Sequence, residues 1–199
     1  MLLFKDLTTA NLTPQTRQLD NGRIVCLSGA SGSGKSLLLR ALADLDAHEG
    51  EVFLDVTLQS ATPAHLWRQW VRLVPAESQW WSDSVRDHFA ESPDPADLNA
   101  LLLPDTALEW PVSRLSSGEK QRLALLRAIS TAPRALLLDE PTANLDQTAR
   151  LAVEDWLIMK IRANDWPTLW VAHDEDQIQR VADQHWQLES GQLIELEPA

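Results

Sequence analysis

Tyrosine is absent from the 199 residues, cysteine occurs once, and three phenylalanines stand beside nine tryptophans. A single cysteine excludes an internal disulfide, and Cys26, set in an apolar run, reads as a small buried hydrophobe rather than a reactive thiol. Long hydrophobic runs are missing as well. No apolar stretch approaches the roughly 20 residues that a membrane helix needs. Met1–Asp6 lacks the basic segment, the longer apolar stretch and the small-residue cleavage site of a signal peptide. The chain is therefore expected in the cytoplasm. Positive charge is scarce: 17 Lys and Arg against 29 Asp and Glu leave a net charge of −12. Such a surface repels free nucleic acid and anionic headgroups, so no nucleic-acid partner is expected. What remains is globular, 44% hydrophobic and 23% charged, enough for one core or one core with a satellite lobe.

The chain is organised around Gly29-Ala30-Ser31-Gly32-Ser33-Gly34-Lys35-Ser36, which fits the phosphate-loop pattern G-x-x-x-x-G-K-[ST]. Its context fits too. Arg23–Ser28 is a short apolar, β-branched run that reads as a buried strand, and Ser36–Ala43 reads as a helix. Strand, glycine loop and helix start make a nest of backbone N–H groups suited to a polyphosphate. Lys35 can reach the β- and γ-phosphates, and the Ser36 hydroxyl can ligate Mg²⁺. A nucleoside triphosphate is the expected ligand.

Along the chain, residues 2–7 read as a strand and Thr8–Asn21 as a loop, with a second edge strand around Thr16–Leu19. Further strands are expected at Glu51–Leu54, Val71–Val74, Ala135–Leu138 and Thr168–Ala172, and helices at Pro63–Trp70, Gly118–Ser130, Leu151–Arg162 and Asp174–Ala182. Gln184–Leu188 and Gln192–Leu196, joined by Ser190-Gly191, read as a hairpin. Between Pro75 and Leu115 the texture changes to short helical pieces, Ser84–Phe89 and Ala96–Leu103, punctuated by prolines. The expected architecture is α/β: a mostly parallel sheet flanked by helices, with an antiparallel β edge. Residues 1–75 and 115–199 would form one core, and residues 76–114 a small inserted helical subdomain.

Two further stretches carry chemistry. Ala135–Leu138 delivers Asp139 and Glu140 at a strand end, where Asp139 suits Mg²⁺ held through water and Glu140 could polarise an attacking water. Leu115-Ser116-Ser117-Gly118-Glu119-Lys120-Gln121-Arg122 opens a helix whose hydroxyl, N–H groups and dipole suit an anion. Alone it would be an ordinary helix cap. Beside a phosphate loop it points to a two-site arrangement, each chain presenting this helix to its partner's γ-phosphate.

Together these stretches resemble an ATP-binding-cassette (ABC) ATPase, a P-loop NTPase, over nearly the whole chain. GASGSGKS resembles the family's Walker A motif, LSSGEKQR its signature and ALLLDEP its Walker B motif with catalytic Glu140. Ala143-Asn144-Leu145-Asp146 resembles the D-loop, and Val171-Ala172-His173-Asp174 the switch that ends in a γ-phosphate-sensing histidine. The resemblance implies an ATP-driven dimer, with itself or a homologous ATPase, in which Lys35, Ser36 and Asp139 of one chain face Ser116 and Gly118 of the other. It implies Mg²⁺ with ATP, hydrolysis through Glu140 and His173, and an integral-membrane permease holding the chain at the inner face of the membrane. Among subfamilies it is similar to compact iron-export ATPases. A soluble ABC-type nucleotide switch with weak turnover is the alternative.

Three departures bear on that alternative. Where the family has a glutamine after the strand Val71–Val74, this chain has Ala76, with Glu77 and Gln79 as the polar residues that could substitute. The third signature position is Ser117 instead of glycine. Thr8, Thr9 and Ala10 stand where the family stacks adenine on an aromatic ring. Trp67, Trp70, Trp80 and Trp81 cluster near the insert, where the family receives its permease. Adjacent Trp80 and Trp81 cannot easily be buried in one direction, so one is expected as an exposed anchor unless both pack in the lobe. Trp156, Trp166, Trp170 and Trp186 are expected in the core.

Overall fold

Buried on both faces, a parallel strand reads as a continuous apolar run, and this chain supplies several. The computed structural model describes residues 1–196. It places β3 (Ile24–Ser28), β6 (Val71–Val74), β7 (Ala135–Asp139), β8 (Thr168–Val171) and β9 (Gln184–Glu189) in a six-stranded sheet, with β10 (Gln192–Leu196) as its antiparallel edge. The order is β10-β9-β3-β8-β7-β6, so the strand before the phosphate loop lies centrally. Ser190 and Gly191 both have positive φ, the twist that a two-residue hairpin turn requires, and they join β9 to β10.

Alternation along these strands splits the core in two. Ile24, Cys26, Leu136, Leu138 and Trp170 face one cluster; Val25, Leu27, Ala135, Leu137, Leu169 and Val171 face the other. Burial pushes the Cys26 thiol up to about 12, which keeps it protonated and inert. The first cluster is closed by α4 (Ser117–Ile129), α5 (Gln147–Ala163) and α6 (Glu175–Val181), together with apolar residues of the 76–114 stretch. The second is closed by α1 (Lys35–Leu42) and by a separate antiparallel sheet of order β2-β1-β4-β5, built from β1 (Leu2–Thr9), β2 (Leu12–Leu19), β4 (Glu49–Leu54) and β5 (Thr57–Leu58). Trp156, Trp166, Trp170 and Trp186 are all buried, as expected.

Several elements differ from expectation. Thr8–Asn21 is not a loop with a short strand; β2 is eight residues long. Its polar residues and Pro14 hide it, yet an edge strand tolerates both because one side faces solvent. Trp67, on α2 (Ala64–Trp70), belongs to the second core, where its indole N–H donates to the Leu42 carbonyl at 2.9 Å. Between β6 and α4 the only α-helix among the described residues is the short α3 (Pro95–Ala100), started by Pro95 and capped by Asp94. The remainder is 3₁₀ turns at Arg86–His88, Asp105–Glu109 and Val112–Arg114. Prolines at 104 and 111 remove N–H donors there, which disfavours longer helices.

Candidate functional site

β3 ends at Ser28, and the chain turns through Gly29–Gly34 into α1. Gly29 has φ +142°, and a Cβ on it would lie 2.5 Å from the Leu188 carbonyl oxygen. Gly34 has φ +111°, and its Cβ would lie 2.7 Å from that of Asn11. Neither position admits a side chain. No side chain caps α1, which leaves its first N–H groups to a ligand. Lys35 is buried, and its Nζ donates to the carbonyls of Gly29 (2.9 Å) and Ala30 (3.0 Å), tying the loop together from inside. Burial pulls its pKa down, while the charges of Glu140 and Asp139 oppose the shift. The loop opens on a cavity of about 250 Å³ lined by Asn11, Ser31, Gly32, Lys35, Ser36, Glu140 and His173 among others.

Adjacent parallel strands β7 and β8 pair Asp139 with Val171 and bring their C-terminal ends to this cavity. Burial raises the Asp139 carboxyl above the usual range, opposed by a hydrogen bond with Ser36 and helped by the Glu140 charge. A cation beside Ser36 and Asp139 would relieve that desolvated charge. Among the described residues no group of three His, Cys, Asp or Glu is placed to hold a metal. One hydroxyl and one carboxylate suit Mg²⁺, which takes few protein oxygens and fills its shell with phosphate and water. Glu140, one residue on, has φ +48°, a strained value for a side chain of its size. Its Oε1 lies 2.9 Å from His173 Nε2, so the imidazole donates to the carboxylate.

Ser116, Ser117, Gly118 and Asp146 do not line this cavity. Ser116 and Glu119 form a capping box at the start of α4. The Glu119 amide donates to Ser116 Oγ (3.2 Å), and Glu119 Oε2 accepts from both the Ser116 amide (2.8 Å) and hydroxyl (2.7 Å). Those bonds hold the Glu119 carboxyl below its ordinary pKa. Gly118 lies against the 144–145 loop of the same chain, where an added Cβ would meet Leu145 Cδ2 at 3.3 Å. Asp146 caps α5, accepting from the Ala149 amide at 2.9 Å.

Asn11 escaped sequence reasoning. It sits at the tip of the β1–β2 hairpin, and its Nδ2 donates to the Gly32 carbonyl at 3.2 Å. Only tertiary packing brings it to the loop, so no local signal marks it. None of Ala76, Glu77 or Gln79 lines the cavity at the Gly29–Ser36 loop. Gln79 is exposed, and its carbonyl accepts from Arg127 at 3.1 Å. A second cavity of about 290 Å³ lies between β6 and α4, lined by Arg72, Trp81, His88 and Arg127 among others, with no carboxylate. Trp81 is 71% exposed, whereas Trp80 is half-buried. His88 Nε2 accepts from the amides of Trp81 (3.0 Å) and Ser82 (3.2 Å), which ties down the loop carrying both tryptophans.

Residues 12–143 match the family model described as ABC transporter. The chain is 32% identical over 169 residues to the "Probable iron export ATP-binding protein FetA" of Escherichia coli (strain K12), covering 79% of this chain and 75% of that one. It is 36% identical over 180 residues to the aliphatic sulfonates import ATP-binding protein SsuB of Pseudomonas putida, covering 86% of this chain but only 65% of the relative. In structure it is similar to the dimeric ATP-binding cassette MJ0796 bound to ADP and Pi in a post-hydrolysis state (TM-score 0.85, 19% identity, 100% of this chain, 99% of that one). It is also similar to a bacterial Atm1-family ABC exporter with ATP bound (TM-score 0.84, 22% identity, 97% of this chain, 38% of that one). The chain belongs to the ABC transporter family and is an ATP-binding subunit of it, an ATPase.

Proposed function

We propose that this ABC ATPase powers a separate membrane permease by closing into a dimer on ATP and reopening after hydrolysis. The observation that carries the reading is the 2.9 Å contact between Glu140 and His173 at the mouth of the phosphate cavity. In this reading the N–H groups of Gly29–Ser36 and the Lys35 ammonium hold the β- and γ-phosphates. Ser36 and Asp139 hold Mg²⁺, which when bound would neutralise charge on the phosphate oxygens. Glu140 accepts a proton from the attacking water, and His173 orients that carboxylate and meets the γ-phosphate. Ser116, Ser117, Gly118 and Asp146 lie away from the chain's own phosphate cavity, so they suit a nucleotide held by a second copy or a homologous ATPase.

The groove beside β6 suits the permease. It combines an exposed indole with the Arg72 and Arg127 guanidiniums and no acid, so an apolar segment carrying a carboxylate complements it. No helix among the described residues is long and apolar enough to cross a membrane, so the permease would be another chain or segment. The partner would hold this subunit at the cytoplasmic membrane face.

The alternative, a nucleotide switch with weak turnover, draws support from the absence of Ala76, Glu77 and Gln79 from the phosphate cavity. One comparison separates the two: steady-state ATPase activity of wild type and Glu140→Gln, with size-exclusion chromatography in ATP and Mg²⁺. A motor gives turnover in wild type and, in the variant, a loss of at least about a hundredfold with a lasting ATP-held dimer. Wild type that dimerises on ATP without turning over is a switch. No ATP binding at all would sink both readings.

A further inference from the structure

Glu140 and His173 follow the ends of adjacent strands, β7 and β8, each in a loop that leads into a helix. Glu140 leads through residues 141–146 to α5, and His173 leads through Asp174 to α6. The 2.9 Å contact between them survives only if the two loops keep their register. Glu140 also sits at φ +48°, a conformation that persists only where the surroundings over-determine it.

Behind the pair lies a buried polar chain that no step of hydrolysis uses. Gln177, one turn along from His173, donates both hydrogens of its amide nitrogen: to Thr142 Oγ1 at 2.7 Å and to Glu154 Oε1 at 2.7 Å. Glu154, on α5, is held in turn by the Arg180 guanidinium at 2.8 and 3.1 Å. Thr142, Glu154 and Gln177 are each at least 95% buried, at 3%, 2% and 5% exposure. A neutral glutamine placed between a hydroxyl and a paired carboxylate satisfies both, and in such surroundings an unmade bond is expensive. A second tie runs alongside, from Arg150 of α5 to Asp174, the cap of α6, at 2.9 Å. Thr142, Arg150, Asp174 and Gln177 line a cavity of about 150 Å³ that Glu140 and His173 also line.

We infer that Gln177 is a positioning residue for hydrolysis: its bond to Thr142 locks the loop after Glu140 to the helix after His173, and so holds the carboxylate in reach of the imidazole. This rests on the reading of Glu140 and His173 as the hydrolytic pair. The phosphate cradle, Gly29–Ser36, has no bond to this network. Loss of the lock therefore changes the chemical step and leaves ATP binding alone.

The test is steady-state kinetics on the full chain with Gln177→Met, which keeps the shape and removes the amide, Thr142→Val, which removes the hydroxyl from the other side, and the double variant. Each single variant is expected to lower kcat about tenfold with KM for ATP within about twofold, the size of one lost buried hydrogen bond expressed in the transition state. The double variant should be no slower than the slower single one, since both break the same bond. Thr142→Val leaves the Gln177–Glu154 bond in place, which keeps the test open if Gln177→Met does not fold. A role in stability alone would lower the melting temperature with kcat and KM unchanged, and that result overturns the inference. So does a double variant whose loss is the product of the two. Glu140→Gln, run in parallel, separates the two levels: if it still turns over, the hydrolytic reading fails. If it is dead while Gln177→Met and Thr142→Val are at full rate, only the lock fails.

Discussion

Two helices in this chain begin with glycine and serine and look, as sequence, like anion sites: α1 after the phosphate loop and α4 at Ser116–Gly118. The structure treats them oppositely. α1 has no side-chain cap, its N-cap is Gly34 in a left-handed conformation, and Lys35 is buried against the loop carbonyls. α4 caps itself through the Ser116–Glu119 box, in which the Ser116 amide donates to the Glu119 carboxylate and the Glu119 amide to the Ser116 hydroxyl. A helix start left open is built for a ligand that arrives alone. One whose first amide is already taken by its own carboxylate offers less to a lone anion.

The comparison breaks most sharply at Gly34. Gly34→Ala adds left-handed strain of about 1–3 kcal/mol and drives a Cβ to 2.7 Å from Asn11. ATP affinity measured by calorimetry should fall by about tenfold to a hundredfold; a change within twofold would mean that the loop is not the cradle. Next in size is Asp139→Asn. The folded-state pKa of Asp139 is raised, so its charge costs stability as pH rises through the carboxylate range, and that cost is absent below the unfolded value. Without nucleotide the variant should be about 0.5–2 kcal/mol more stable in urea at pH 7, while Mg²⁺-dependent hydrolysis is lost. Equal or lower stability would remove the argument that this carboxylate is kept for function.

At the other helix the effects are smaller. Ser116→Ala removes the cap and should destabilise by about 1 kcal/mol, lowering the melting temperature by about 2–4 °C. ATP affinity of the single chain should not change, and a loss there would place α4 at its own nucleotide. Glu119→Gln is the mildest, within about 0.5 kcal/mol at neutral pH, because glutamine can complete the same box. The Glu119 carboxyl is depressed, so its contribution is present above the unfolded value and lost as pH falls through the folded one. The gap between wild type and variant in a melting series should therefore close in acid.

Legibility followed the same divide. The phosphate loop was readable because its requirements are local: glycines at φ +142° and +111°, and a lysine at the helix start. Strands β3, β6, β7 and β8 were readable because burial on both faces demands unbroken apolar runs. Strand β2 was not, because an edge strand with a polar face imposes no such pattern. Residues 76–114 stood out as a change of texture, but their helices were overestimated because propensity ignores the donors that proline removes. Trp67 was assigned by its neighbours along the chain, although its indole is committed to α1.

By itself the sequence determined the class of fold, the strand–loop–helix unit and the order of the charged residues along the strand ends. Each of these is a property of residues adjacent in the chain or repeated at a fixed period. Tertiary structure decided which of them meet: Asn11 on Gly32, His173 on Glu140, Gln177 on Thr142 and Glu154. It decided, too, that Ser116 stays with its own helix. Pairings across tens of residues depend on how the sheets and helices stack, and no local propensity encodes them.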